Sequence, residues 1–163
     1  MARINSKSKG NVYERKIANR LSERFAAHTG IEQSFRRDVT SGSFFGASNQ
    51  KRLATHDAET ATFGDIMAPE TFRFSIECKH YKTPPTFTSL MKQEVKLLDD
   101  WIKQAKQDAT NSGKQMLVIA KFNNVADFVI IEGNDGDALM AYKGNSIVPL
   151  ELWLTRPETY FFA

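Results

Sequence analysis

The segment Phe72-Arg73-Phe74-Ser75-Ile76-Glu77-Cys78-Lys79 constrains the chain more than any other. Its density of aromatic and β-branched residues predicts a strand. Side chains alternate across a strand, so Glu77 and Lys79 share one face and Cys78 points to the other. That face carries an acid and a base two positions apart, and any fold that covers it must give both charges partners. Just upstream, in Gly64-Asp65-Ile66-Met67, Asp65 ends a second apolar-polar segment. Pro69 and its neighbours predict a turn that returns the chain antiparallel and sets Asp65 beside Glu77.

The elements around this pair alternate between helical and strand periodicity. Apolar Ile17, Ala18, Leu21 and Phe25 recur at helical spacing and predict a helix from Ser8 to Thr29. Ser6 or Ser8 caps its start, and Gly30 occupies the C′ position. Glu14 lies on the same stripe, not among Arg15, Arg20 and Arg24 on the solvated side. A carboxylate there pairs with an arginine, reaches out to water, or binds a cation. A short strand is expected near Ile31 to Arg37. The polar stretch from Asp38 to Phe63 reads as a long mobile loop, of the kind that is usually functional. A second helix is expected from Ser89 to Asn111, closed by Gly113, with Leu90, Leu97, Leu98, Trp101, Ile102 and Ala105 inward. Strands are expected over Gln115–Phe122, Ala126–Glu132, Ala138–Tyr142 and Ile147–Trp153, with Gly133-Asn134-Asp135-Gly136 as a hairpin-type turn. This order predicts one α/β domain over residues 1–163, a mixed sheet with helices against it.

Composition sets the outer limits. A length of 163 residues suffices for one buried core. Net charge is +3 and the isoelectric point is near 9.0, mildly basic and compatible with a polyanionic partner. A single cysteine excludes an internal disulfide and a cysteine-based zinc site. The N-terminus has no apolar signal region and no stretch approaches the length of a membrane span, so a cytoplasmic protein is expected. His28, His56 and His80 are scattered and match no metal spacing.

Asp65 and Glu77 are hard oxygen donors of the kind Mg²⁺ takes, and the carbonyl of Cys78 is a candidate third ligand. Glu14 is placed to hold that ion's water or a second ion. Lys79 would orient a nucleophilic water or offset phosphate charge. Such a set suits metal-assisted hydrolysis of a phosphodiester. Arg36, Arg37, Lys51 and Arg52 flank and punctuate the loop and suit contacts to a phosphate backbone. Each part alone is common, since an exposed strand also explains Glu77 and Lys79 as an ion pair. The combination of Asp, Glu-x-Lys on the next strand and a Glu-bearing helix is what carries weight. Cys78 reads as a small core residue, and Trp101 and Tyr160-Phe161-Phe162 as core or interface. Phe44-Phe45 is a candidate aromatic wedge.

On Asp65, Glu77-Cys78-Lys79 and the Glu14 helix, the chain resembles the PD-(D/E)xK nuclease superfamily. Within it the chain is most similar to the phage and archaeal Holliday junction resolvase-like group. The matching stretches are Lys9 to Ala18, Phe35-Arg36-Arg37 with Ser41-Gly42, Gly64-Asp65-Ile66, Phe74 to Lys79, and Trp101 to Ala105, together spanning about two thirds of the chain. The resemblance implies a restriction-endonuclease-like core with a central mixed sheet, Mg²⁺-dependent DNA cleavage in which Mn²⁺ substitutes, and a homodimer. It implies Glu14, Asp65, Glu77 and Lys79 as the catalytic set, Ser41 or Ser43 as a loop serine, and Gln104 near the site. Gly64 stands where the motif's eponymous proline would be, and the 38–63 loop is longer than in compact members.

The expected activity is endonucleolytic cleavage of branched DNA, four-way junctions first. A restriction-type or nicking enzyme would share the chemistry and cut linear duplex. A DNA-binding module with a vestigial site would bind DNA without needing Asp65 or Lys79.

Overall fold

The computed structural model describes residues 6–39 and 64–163. The expected loop at 38–63, with Ser41, Ser43, Phe44-Phe45, Lys51 and Arg52, lies almost wholly outside the described residues. Helix α1 spans Ser6–Thr29 and buries Tyr13, Ile17, Ala18, Leu21 and Phe25. It ends at Gly30, whose φ of 66° lets its N–H donate to the Ala26 carbonyl at 2.9 Å. The expected strand at 31–37 contracts to β1 (Arg36–Arg37), which pairs antiparallel with β2 (Ile66–Met67).

The central sheet has five strands in the order β3-β4-β5-β7-β6. These are β3 (Phe74–Tyr81), β4 (Gln115–Phe122), β5 (Phe128–Glu132), β6 (Met140–Tyr142) and β7 (Asn145–Pro149). Strands β3 and β4 run parallel and every other pair is antiparallel. A parallel pair needs a crossover, supplied by α2 (Phe87–Lys92) and α3 (Lys96–Ser112). The fold is an α/β, restriction-endonuclease-like core.

Sheet parity separates two apolar layers. Phe74, Ile76, Cys78, Leu117 and Ile119 face α1, whereas Met116, Val118, Ala120 and Phe122 face α3 with Leu98, Trp101, Ile102 and Ala105. Strand β4 is apolar on both faces because both are covered. On β3 the α3-facing positions are instead Ser75, Glu77, Lys79 and Tyr81, a polar seam beneath a helix.

Four expectations are corrected. The Ser89–Asn111 helix is two helices, broken at Gln93, whose backbone is left-handed (φ 53°). The break is held by Gln93 Oε1, which accepts from the Lys143 N–H at 2.7 Å, and by the Tyr142 hydroxyl, which accepts from the Val95 N–H at 3.0 Å. The Gly133–Gly136 turn does not pair β5 with β6. The tight hairpin is at Lys143-Gly144 between β6 and β7, where both residues have positive φ. The last expected strand stops at Pro149, and α4 (Leu150–Trp153) and α5 (Glu158–Phe161) follow. Arg20 and Arg24 are not free in solvent. Arg20 pairs with Glu151 at 2.7 Å and Arg24 with Glu158 at 3.0 Å, tying α1 to the C-terminal segment. The C-terminal aromatics complete the α1-side core. Phe25 packs against Phe161 and Phe162 at 4.7 and 5.2 Å.

A half-buried ion cluster staples the C-terminal segment to the β5–β6 connection. Arg156 donates to Asp135 at 2.6 Å and Asp137 at 3.1 Å. Burial pushes the Asp135 carboxyl up, but the Arg156 and Asp137 N–H donors outweigh it, so the net direction is down. A depressed folded value adds stability at pH above the unfolded value and loses it as pH falls through the folded one. Arg156→Ala is therefore expected to cost about 2 kcal/mol at neutral pH. The deficit should shrink once acid protonates Asp135. Urea denaturation of both proteins at neutral pH and below the carboxylate range checks this.

Candidate active site

Strand β3 lies at the sheet edge, where N–H groups lack a ladder partner. The chain at 64–65 covers that edge. Gly64 forms a parallel bridge with Ile76, and the Asp65 N–H donates to the Ile76 carbonyl at 2.7 Å. The antiparallel return expected for this segment does not form, because β2 spends its ladder on β1. Asp65 still reaches β3, and its carboxylate takes over from the ladder. Oδ2 accepts from the Cys78 N–H at 2.8 Å. One carboxylate oxygen thus satisfies a buried edge donor, which fixes the side chain's orientation. The Asp38 N–H donates to the Asp65 carbonyl at 2.8 Å, tying the same residue to the end of β1.

Gly64 explains the missing proline. Its φ is 83°, whereas proline holds φ near −65°. A Cβ on Gly64 would also land against the backbone of Ile76, far inside contact distance. The close approach that lets Asp65 reach the β3 edge requires glycine.

Glu77 is 2% exposed and faces α3. Its Oε2 lies 3.6 Å from Lys79 Nζ, too long for a hydrogen bond, and has no hydrogen-bond partner. Lys79 Nζ donates to Gln104 Oε1 at 2.9 Å. Burial is the main force raising the Glu77 carboxyl above its ordinary range. Asp108 and then Asp65 add to it, and Lys79 opposes. Asp108 is a site residue that the sequence reading missed. The signal was present: Trp101, Gln104 and Asp108 fall on one stripe of α3, at i, i+3 and i+7. They meet Tyr81, Lys79 and Glu77 on alternate positions of β3. Ring contact at 5.3 Å joins Tyr81 to Trp101. The match became visible only once α3 was known to run back along β3.

Glu14 takes the ordinary option for a carboxylate on an inward stripe and pairs with an arginine. Arg37 Nε donates to Glu14 Oε2 at 2.6 Å, and its Nη2 donates to Asn11 Oδ1 at 2.7 Å. Burial, then Asp65, raises the Glu14 carboxyl, and Arg37 and Lys79 pull it back without fully offsetting them. Arg37 was expected to contact DNA and is instead engaged here. Arg36 is exposed, with Nε donating to the Gln33 carbonyl at 3.2 Å. Removing Arg37 should leave the half-buried Glu14 without its hydrogen-bonded cation. Arg37→Ala is expected to destabilise by about 2 kcal/mol, and Arg37→Ala/Glu14→Gln by less than that single change. A double-mutant cycle in urea reads this directly; additive losses would show that the pair is not coupled.

Cys78 is a buried, inert core residue, its thiol pushed up by burial. The Asp65 carboxylate acts electrostatically on both Glu14 and Glu77. Even so, among the described residues no three His, Cys, Asp or Glu side chains converge tightly enough to form a ready-made metal cluster. The donor chemistry still fits a hard divalent cation: two carboxylates near enough for Asp65 to raise Glu77, with one buried Glu77 oxygen that has no hydrogen-bond partner. No described helix is long and apolar enough to cross a membrane.

Asp65 at the sheet edge, Glu77 and Lys79 on β3 and Gln104 from the crossover helix stand in the order and spacing of the PD-(D/E)xK motif on an α/β core. The family model described as "Phage putative PDDEXK endonuclease" matches residues 5–149, and the chain belongs to that family. No curated protein and no solved structure matches the chain.

Proposed function

We propose that this chain, as one domain over residues 1–163, is a Mg²⁺-dependent endonuclease of branched DNA. It cuts four-way junctions as a homodimer in the cytoplasm of the host cell. The observation that carries the reading is the Lys79 ammonium, which donates to Gln104 and lies 3.6 Å from the unsatisfied oxygen of Glu77, on the strand whose Cys78 N–H holds the Asp65 carboxylate. Such a site matches hydrolysis in which a water oxygen bonds to phosphorus as one ester P–O bond breaks. Asp65, Glu77 and the Cys78 carbonyl would hold Mg²⁺ or Mn²⁺, which supplies charge neutralisation on the phosphate and a more acidic water. Asp65 is oriented by the Cys78 N–H. Lys79, aligned by Gln104, sets a positive charge against the phosphate. Glu14, held by Arg37, adds a carboxylate at the rim where it can accept a proton. Arg36 on β1, with Ser41, Ser43, Lys51 and Arg52 of the adjacent stretch, would contact the DNA backbone. The junction preference draws on the resemblance to resolvase-like nucleases. A two-fold substrate needs paired cuts, which a two-fold dimer provides.

One observation favours a second reading, a DNA-binding module without cleavage. Asp65 Oδ2 and Glu14 Oε2 are both already engaged by protein donors. Labelled four-way junctions, flaps and linear duplexes, incubated with and without Mg²⁺ or Mn²⁺, separate the alternatives. Metal-dependent cutting of junctions over duplex is the expected result. Equal cutting of all substrates would remove the junction preference, and intact DNA throughout would favour the binding module.

A further inference from the structure

We propose that the end of β3 and the outer face of α2 form a surface for an opened DNA strand, one whose bases are not paired in duplex, as it leaves the candidate active site. This deepens the nuclease reading and rests on it. Strand alternation puts Tyr81 on the face of β3 that carries Glu77 and Lys79, the face turned to α3. Tyr81 stands two strand steps, about 7 Å, beyond Lys79. It is 45% exposed, and Trp101 holds its ring at 5.3 Å and 50°. The ring is fixed in place and still open to solvent, as a stacking platform for a base must be.

Helix α2 continues this surface. Phe87 and Met91 lie four residues apart, so they share a helix face, and they are 75% and 64% exposed. Leu90 is half-buried against the α3-side core, and no residue of the helix is fully buried. Six residues are too few to hold a helix by propensity, and its ends are fastened instead. The Thr86 hydroxyl accepts from the Ser89 N–H at 3.1 Å, and Gln93 Oε1 accepts from the Lys143 N–H at 2.7 Å. The fold thus holds two large apolar side chains out to water in a fixed place. Six residue steps separate Phe87 from Tyr81, at most about 20 Å of extended chain. That is the length of about six stacked nucleotides.

Charge selects the occupant. From Lys79 to Gln93 the chain has three lysines and no aspartate or glutamate. Lys82 and Lys92 are exposed and have no ion-pair partner among the described residues. Cations for the phosphates, interleaved with exposed rings and apolar side chains for the bases, make up a single-strand track. A second copy of this chain fits poorly. A two-fold contact would set the same lysines against one another. Three side chains also fall well short of the roughly 800 Å² that each partner of a stable dimer buries. Paired duplex offers phosphates but no free base faces, and would leave Phe87 and Met91 in water. An opened strand, as at a branch or a fork, uses both the lysines and the apolar face.

Anisotropy binding without divalent metal, so that DNA stays intact, tests the surface. It compares a forked duplex carrying two oligo-dT arms with a blunt duplex of equal length. Wild-type protein is expected to bind the fork about 10-fold tighter. Phe87→Ser/Met91→Ser, at exposed positions, should weaken fork binding about 10-fold and blunt-duplex binding by less than about 2-fold. Tyr81→Leu keeps an apolar contact with Trp101 and should weaken fork binding several-fold. Lys82→Gln/Lys92→Gln should flatten the salt dependence of fork binding by about one to two units. Equal affinity for the two DNAs, or a fork preference that survives Phe87→Ser/Met91→Ser, would overturn the proposal. So would altered sedimentation of that variant with its fork binding intact, which assigns the patch to self-association. Wild-type protein with Mg²⁺ is assayed for cutting of the fork in parallel. Cutting without a fork preference removes the surface alone. A preference that is lost with Phe87 and Met91, in a protein that does not cut, removes the nuclease reading and leaves the surface.

Discussion

Lys79→Ala is expected to abolish metal-dependent cleavage, by roughly 10³-fold or more, while the protein stays folded and binds DNA. Lys79 packs at the rim of the α3 seam, with a side chain that is 19% exposed, so its loss opens no deep cavity. What goes is the cation that faces Glu77, 3.6 Å from its Oε2. Gln104 loses its donor partner but can hydrogen-bond to water. Asp65→Asn should be as severe for a different reason. It keeps an oxygen for the Cys78 N–H yet removes the charge that would hold a cation. Cleavage of labelled DNA, set beside circular dichroism and anisotropy binding, checks both. Near-normal cutting by either variant would show that the chemistry lies elsewhere, whereas loss of binding and cleavage together would point to misfolding.

Gly64 is expected to be the most demanding backbone position. Gly64→Ala combines a left-handed backbone with a Cβ driven into Ile76, and neither neighbour is a flexible side chain that could move aside. Strain of about 1–3 kcal/mol and overpacking of about 1–3 kcal/mol add to a loss near half of an ordinary domain's stability. Gly64→Pro, which restores the family's eponymous residue, should be worse, because proline cannot reach positive φ. Thermal denaturation reads the first effect. Cleavage under conditions where the variant remains folded reads the second, since Asp65 is displaced from the β3 edge. A Gly64→Pro protein with ordinary stability would show that the 64–65 segment does not approach Ile76 as described.

Glu77 and Lys79 were legible because strand alternation is local; nothing distant was needed to place them on one face. The Glu14 stripe was legible for the same reason, and so was the Gly113 cap. The partner of Glu14 was not, because Arg37 lies 23 residues away and is brought in by β1, a two-residue strand too short to announce itself. The break at Gln93 was hidden because its contacts come from Tyr142 and Lys143, some 50 residues later. The strand expected at Ile147–Trp153 failed because Leu150, Leu152 and Trp153 are apolar enough for either state, and packing selected helix.

Local periodicity by itself determined the helix at α1, the strand at β3 and the residue types at the centre of the site. It determined them because side-chain direction follows from backbone type within a few residues. Tertiary structure decided which way the 64–65 segment meets β3, that glycine must stand at 64, and that Asp108 joins Glu77 from α3. Each of these depends on how separate elements lie against one another, and no periodicity within one segment encodes that.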